Sequence, residues 1–140
     1  SRILLAIKGA LIQADPVGTY IFDEVDTGIG GGVAETVGQK LRRVGESRQV
    51  ICITHLPQVA SSAHVHLRVS KSVSEERTES ELVVLSHQER IEEISRMLGG
   101  AEITWRTREH AREMLEKCGN NAPSARPVPL PLTWGVGGTA

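Results

Sequence analysis

The order of apolar segments constrains the fold of this chain more than any other feature of its sequence. The β-branched and aromatic run TYIF at Thr19–Phe22 predicts a buried strand of a parallel sheet. A helical pattern follows in residues 33–44, and the apolar run QVICI at 49–53 predicts a second strand. Strand, helix and strand in this order predict an α/β fold with parallel strands and flanking helices.

Apolar residues at helical spacing recur along the chain. In the segment between the two strands they form one face, which consists of Val33, Val37, Leu41 and Val44. A proline suits the first turn of a helix, so a short helix is predicted to start near Pro57. The longer predicted helices cover residues 3–14, 33–44, 88–98 and 103–117.

The period of the pattern changes to two in residues 64–71 and 78–85. These segments lie on either side of the charged connector SVSEER, and together they predict an antiparallel β-hairpin. Residues 119–140 are rich in proline and glycine and have no amphipathic period, which predicts a disordered or loosely packed tail. We therefore expect one domain in residues 1–118, followed by this tail.

Composition excludes several classes of protein. The net charge of −1 provides no basic field for nucleic acid, and no apolar stretch reaches the roughly 18 residues of a membrane span. Cys52 and Cys118 are isolated, without a CxxC spacing, which is typical of a reducing cytoplasm. Cys52 lies inside an apolar run and is predicted to be a core residue.

Two adjacent carboxylates, Asp23 and Glu24, follow the first predicted strand directly. The carboxyl ends of parallel strands are where open α/β sheets bind ligands. Magnesium takes one or two carboxylates beside phosphate oxygens, so Asp23 is a candidate metal ligand. Glu24 is then free to orient an attacking water. The alternative is that the pair caps the next helix or lies in solvent.

His55 follows the second predicted strand, again at its carboxyl end. From this position an imidazole can donate a hydrogen bond to a terminal phosphate across the same crevice. A single histidine at a strand end can also be a structural residue with its hydrogen bonds satisfied.

The glycines after the acids do not form a known phosphate-binding motif. The dinucleotide fingerprint GxGxxG fails because Val33 occupies the third glycine position after Gly28 and Gly30. The sequence GxxxxGK[ST] is absent from the 140 residues. A nicotinamide-dependent oxidoreductase is therefore disfavoured, whereas a non-catalytic protein-interaction module remains an alternative.

The segments TYIFDEVDTGIGG and QVICITHLPQVA resemble the Walker B, D-loop and H-loop segments of ABC-type ATPase heads of the SMC-like class. Residues 1–8 resemble the helix that follows the signature motif of that family, and the likeness extends to about residue 117. The chain thus resembles the carboxyl-terminal lobe of a split P-loop ATPase head. The family's Walker A segment, which lies in an amino-terminal lobe, is not among these residues.

The resemblance implies a role for each matching residue. Asp23 would bind the magnesium with its water shell, Glu24 would be the catalytic glutamate, and His55 would sense the γ-phosphate. The resemblance also implies that a loop crosses to a partner head. With Asp26 included, the predicted cofactor-binding residues of this loop are Asp26, Thr27, Gly28, Ile29, Gly30 and Gly31.

One position in this loop departs from the pattern of many ABC proteins. They have an aspartate where this chain has Gly30, so the contact across the dimer lacks an obvious side chain. Two interpretations of Asp26 remain open: it serves that contact, or it hydrogen-bonds nearby backbone amides.

The resemblance further implies the cofactors, the partners and the cellular location of the activity. ATP and Mg²⁺ would be the cofactors, held between two heads of a homodimer whose amino-terminal lobes supply Walker A. The complete protein would act on DNA, in the recombinational repair of double-strand breaks, in the bacterial cytoplasm and at the nucleoid, without a membrane. The 140-residue chain alone would be inactive as an ATPase.

Overall fold

The computed structural model describes residues 17–23, 25–74, 77–100 and 102–119. The predicted helix at 3–14, Glu24 and residues 120–140 of the predicted tail therefore lie outside the described residues. The division into a domain and a tail stays a prediction. The elements are β1 (Thr19–Phe22), α1 (Gly31–Gly45), β2 (Gln49–Cys52), α2 (Pro57–Ala60), β3 (Leu67–Ser74), β4 (Arg77–Val84), α3 (His87–Gly99) and α4 (Trp105–Lys117).

The first two strands pair in parallel, as the sequence predicts. Their register places Thr19 opposite Gln49 and Phe22 opposite Cys52, and α1 connects them. The backbone N–H of Ile53 donates to the carbonyl of Phe22 at 2.9 Å, just beyond the paired residues. Both strands consequently end at the same edge of the sheet.

Helix α1 covers one face of this sheet, but its buried face differs from the predicted one. The buried residues are Ala34, Val37, Gly38 and Leu41, whereas the Val33 side chain is 37% exposed. Val44 is only partly buried. Gly38 lies in close contact with Gln58 and Ser62. This contact orients the helix so that its small residues, Ala34 and Gly38, are buried. The prediction was right for Val37 and Leu41 and wrong for Val33.

The opposite face of the sheet is exposed, which corrects the prediction of fully buried strands. Ile21 is 67% exposed, its cross-strand partner Ile51 is 43% exposed, and Ile53 is 59% exposed. Tyr20, on the other face, is 7% exposed. An apolar run predicts burial on both faces, but among the described residues the helix packs against one of them only.

Strands β3 and β4 form the predicted antiparallel hairpin, with Leu67 opposite Val84 and Ser74 opposite Arg77. Both strands extend into the predicted connector, and β3 begins at Leu67 instead of His64. The reason for the late start is the guanidinium of Arg90, which donates to the carbonyl oxygens of Ala63 (2.7 Å) and His64 (3.4 Å). These contacts hold residues 63–64 outside the strand.

Helices α3 and α4 form a second core with Ala60. Ile91, Ile94, Ala111 and Leu115 are at most 2% exposed there. A capping box starts each helix, because the side chains of Ser86 and Glu89, and of Thr104 and Thr107, satisfy each other's backbone N–H groups. Gly100 ends α3 with a φ of 62°, which favours glycine.

Candidate functional site

The carboxyl ends of β1 and β2 bring the predicted site residues to one edge of the sheet. Asp23 follows β1 directly, and Thr54 and His55 follow β2 after one residue. The parallel register puts these loops side by side. The imidazole of His55 is 77% exposed. A ligand that approaches this edge of the sheet can therefore reach the His55 side chain.

Asp26 joins the two loops through a single carboxylate oxygen. Its Oδ2 accepts hydrogen bonds from Thr54 Oγ1 at 2.6 Å and from the backbone N–H of His55 at 2.9 Å. The same Oδ2 lies 3.0 Å from His55 Nδ1. Asp26 is only 4% exposed, so this carboxylate is a buried link and not a surface charge.

The electrostatics of Asp26 follow from these contacts. Burial raises the pKa of its carboxyl group, but the hydrogen bonds from Thr54 and from the His55 backbone and the charge of His55 act in the opposite direction. The net effect lowers the pKa of Asp26 below its ordinary value. The carboxylate is therefore ionised near neutral pH and acts only as an acceptor.

Asp23 is exposed in the bend that follows β1. Within the part of the chain that the structure describes, no group of three or more His, Cys, Asp or Glu side chains is arranged to hold a metal ion. A closed site made only of these protein ligands does not fit this edge. A single exposed carboxylate fits Mg²⁺, which completes its coordination with water and phosphate oxygens.

The loop between Asp26 and α1 is largely exposed. The side chain of Thr27 and both Gly28 and Gly30 are exposed, whereas Ile29 is partly buried against the core of Val25, Ala34 and Val37. Gly28 has a φ of 71° and Gly31 a φ of 50°. Both of these positive φ values favour glycine. A β-carbon built at either position would have no neighbouring atom within 4 Å, so there is open space around the loop. The glycines thus permit the turn and leave the loop accessible.

No protein-family profile matches the chain. Individual relatives do match. The chain is 52% identical over 117 residues to the DNA repair protein RecN of Xylella fastidiosa (strain 9a5c), which covers 84% of this chain and 21% of the relative. It is 45% identical over 117 residues to RecN of Bacillus subtilis (strain 168), with 84% and 20% covered. The matched segment belongs to the RecN family.

The chain spans about a fifth of the length of these RecN relatives. RecN of Vibrio cholerae is 46% identical over 115 residues, and this match covers 82% of this chain and 21% of the relative. Among the described residues, no helix is both long and apolar enough to cross a membrane.

A solved structure supports the fold assignment. It is described as "Structural biochemistry of ATP-driven dimerization and DNA stimulated activation of SMC ATPases" and superimposes with a TM-score of 0.53 at 19% identity. The likeness covers 71% of this chain and 59% of that chain. At this identity it shows the fold alone. The predicted α/β fold class, with parallel strands, flanking helices and a hairpin, is confirmed.

The structure brings together part of the predicted RecN-family site. Asp23, His55 and the loop from Asp26 lie at one edge, whereas Glu24 lies outside the described residues. Of the two interpretations of Asp26, hydrogen bonding to a backbone amide is observed, with the amide of His55. Thr54 was not assigned a role from the sequence. Its position beside His55, directly after a strand, was the available signal.

Proposed function

We propose that this chain is the catalytic-carboxylate lobe of an SMC-like ATPase head, and that the full-length protein couples ATP hydrolysis to DNA repair. The observation that carries the proposal is the meeting of Asp23 and His55 at one edge of the parallel sheet, with Asp26 joining their loops. The name of the relatives, DNA repair protein RecN, supports the repair role. The SMC-type fold supports the ATPase assignment.

In this proposal each residue at the edge has one task. Asp23 holds Mg²⁺, directly or through water, because it is the exposed carboxylate closest to the end of β1. Glu24 orients the attacking water and accepts its proton. His55 contacts the terminal phosphate with its exposed imidazole. When bound, the metal ion would neutralise negative charge on the phosphate oxygens.

The accessible loop provides the proposed contact with a second head. Thr27, Gly28 and Gly30 are exposed, and residues Thr27 to Gly31 would lie against ATP and the partner head of a homodimer. Binding of two heads around ATP requires surfaces that approach closely, and glycines without side chains allow this. DNA would be bound by the full-length protein.

The 140-residue chain alone is proposed to be inactive. It contains no GxxxxGK[ST] sequence, so no cradle of backbone amides with a lysine is available for the phosphates. The amino-terminal lobe of the full-length protein would supply that cradle.

The division of labour between Asp23 and Glu24 gives the test. The chain is fused to the remaining portion of the Xylella fastidiosa relative, and the variants Glu24→Gln and Asp23→Asn are compared. We expect Glu24→Gln to bind ATP, to lose hydrolysis by about 100-fold or more, and to accumulate as an ATP-dependent dimer. Asp23→Asn should weaken magnesium-dependent nucleotide binding itself. Steady-state hydrolysis, nucleotide affinity and light scattering measure these effects.

The matched control is Glu46→Gln, an exposed carboxylate at the other end of α1 that should leave hydrolysis unchanged. Wild-type hydrolysis in the Glu24→Gln variant would overturn the assignment of the catalytic carboxylate. Failure of the folded wild-type fusion to bind or hydrolyse nucleotide would favour a non-catalytic interaction module. Both outcomes are read against the wild-type fusion, whose hydrolysis is measured first.

A further inference from the structure

The hydroxyl of Thr54 connects the loop after β1 to the start of α2. It donates to Asp26 Oδ2 at 2.6 Å and accepts from the backbone N–H of Leu56 at 3.0 Å. Leu56 is the N-cap residue of α2, and its carbonyl oxygen accepts from the backbone N–H groups of Val59 (3.1 Å) and Ala60 (3.0 Å). Both hydrogen-bonding roles of the Thr54 hydroxyl are therefore occupied, one on each side of His55.

The main chain of His55 is held inside this connection. Its backbone N–H donates to the same Asp26 Oδ2 at 2.9 Å, so two donors from neighbouring residues converge on one oxygen. The ring atom Nδ1 lies 3.0 Å from that oxygen. The hydrogen bonds, however, involve the main chain and the Thr54 hydroxyl. The placement of the His55 main chain therefore does not depend on which ring nitrogens carry protons.

The other end of the connection, Asp26, begins the loop of residues 27–30. Its carbonyl oxygen accepts from the backbone N–H of Ile29 at 3.3 Å, and its own backbone N–H hydrogen-bonds to its carboxyl group. The side chain is only 4% exposed. A buried carboxylate without donors is costly, so the donors of Thr54 and His55 follow the carboxylate when the loop moves.

We infer that Thr54 is a positioning residue, whose hydroxyl sets the main chain of His55 relative to the loop of residues 27–30, so that loop and histidine move together. That a partner head moves the loop, and that His55 contacts a terminal phosphate, rests on the proposed function. The positioning does not, because its hydrogen bonds are present in the chain without nucleotide. Coupling is reciprocal, so a ligand that displaces His55 also displaces the loop.

The coupling can be measured on the 140-residue chain by displacing the loop and observing the histidine. Gly28→Ala strains the loop, because alanine disfavours the φ of 71° at this position. In ¹H–¹⁵N correlation spectra we expect it to shift the amide signals of His55 and Leu56, and to shift them less in a Thr54→Val background. Gly32→Ala is the control, because a β-carbon there has no neighbouring atom within 4 Å and φ is not positive. An equal response with and without the Thr54 hydroxyl would overturn the inference.

Thr54→Ser is a second test, which does not require the valine variant to fold. Serine keeps the hydroxyl and removes the methyl group, so the response of the His55 amide to Gly28→Ala should equal that of the wild type. A folded Thr54→Ser protein without this response would show that packing of the methyl group places His55. The hydroxyl would then have no positioning role.

Kinetics of the full-length fusion distinguish positioning from a structural role. Thr54→Val should lower kcat by about 10-fold with little change in KM, because the proposed phosphate cradle lies in the other lobe. Thr54→Ser should restore most of kcat. The matched control is Thr36→Val, which loses an exposed hydroxyl that donates to the carbonyl of Gly32 inside α1 at 3.0 Å and should keep the wild-type kcat. Equal loss of kcat in the valine and serine variants contradicts the positioning role.

The two proposals can fail separately. If Glu24→Gln hydrolyses ATP at the wild-type rate while the response of His55 to Gly28→Ala still requires the Thr54 hydroxyl, the proposed function fails and the positioning role stands. If that response does not require the hydroxyl, the positioning role fails whatever the hydrolysis rates are.

Discussion

Gly38 in α1 lies so close to Ser62, just after α2, that a β-carbon at position 38 would be 2.6 Å from Ser62 Oγ. The same β-carbon would be 2.9 Å from the carbonyl oxygen of Gln58. The hydroxyl can rotate away, but the carbonyl belongs to the backbone of α2. The approach of the two helices therefore depends on glycine, and these helices precede and follow β2, the strand that comes before His55.

The first prediction is that Gly38→Ala destabilises the fold. Alanine favours a helix over glycine by about 1 kcal/mol, but overpacking of a close contact costs about 1–3 kcal/mol. We expect a net loss of about 1 kcal/mol in the free energy of unfolding, measured by urea denaturation. Gly32→Ala is the control in the same helix, because nothing lies within 4 Å of its β-carbon. Equal stability of the two variants would contradict the close contact.

The second prediction concerns stability and pH at His66. Burial lowers the pKa of this imidazole, Arg90 and Arg68 lower it further, and Glu93 acts in the opposite direction. Its Nδ1 is buried without a hydrogen-bond partner among the described residues. The unfolded chain thus binds the proton more tightly. The contribution of neutral His66 to the free energy of unfolding is complete above pH 6.5, the ordinary pKa of histidine. It is lost as the pH falls toward the lowered pKa of His66 in the folded protein.

Urea denaturation between about pH 5.5 and 7.5 tests this sign, because carboxylates with ordinary pKa values remain ionised in that window. The free energy of unfolding should decrease as the pH falls, and His66→Gln should have a smaller slope. His64, whose pKa is also lowered by burial and by Arg42, should contribute in the same direction. A His66→Gln variant with the wild-type slope would show that this histidine is not responsible.

The third prediction is low reactivity of Cys52. Burial raises the pKa of its thiol to about 11 from 9.0, with the charges of Asp26 and Asp23 contributing. A rise of about two units reduces the thiolate fraction near neutral pH by about 100-fold. In a Cys118→Ser background, alkylation of native Cys52 by iodoacetamide should be slower than in the urea-unfolded chain by at least that factor. Similar rates in both states would contradict a protected thiol.

Local patterns predicted most of the described elements. Apolar runs predicted the two parallel strands, and the period-two and helical patterns predicted the hairpin and the helices to within a few residues, because each signal depends on side chains at most four positions apart. The exposed side of the parallel sheet was not predictable in this way. Ile21 and Ile51 give the same sequence pattern whether they are buried or exposed. They are exposed because they lie on the face of the sheet that α1 does not cover.

The sequence by itself determined the order of elements, the placement of Asp23 and His55 after two parallel strands, and the resemblance to the SMC-like family. Tertiary structure alone decided that Asp26 contacts His55, a residue 29 positions later, and that Gly38 contacts Ser62. The physical reason is range. Propensity and periodicity act within one or two turns of the chain, whereas these contacts arise from the register of β1 with β2 and from the packing of α1 against α2.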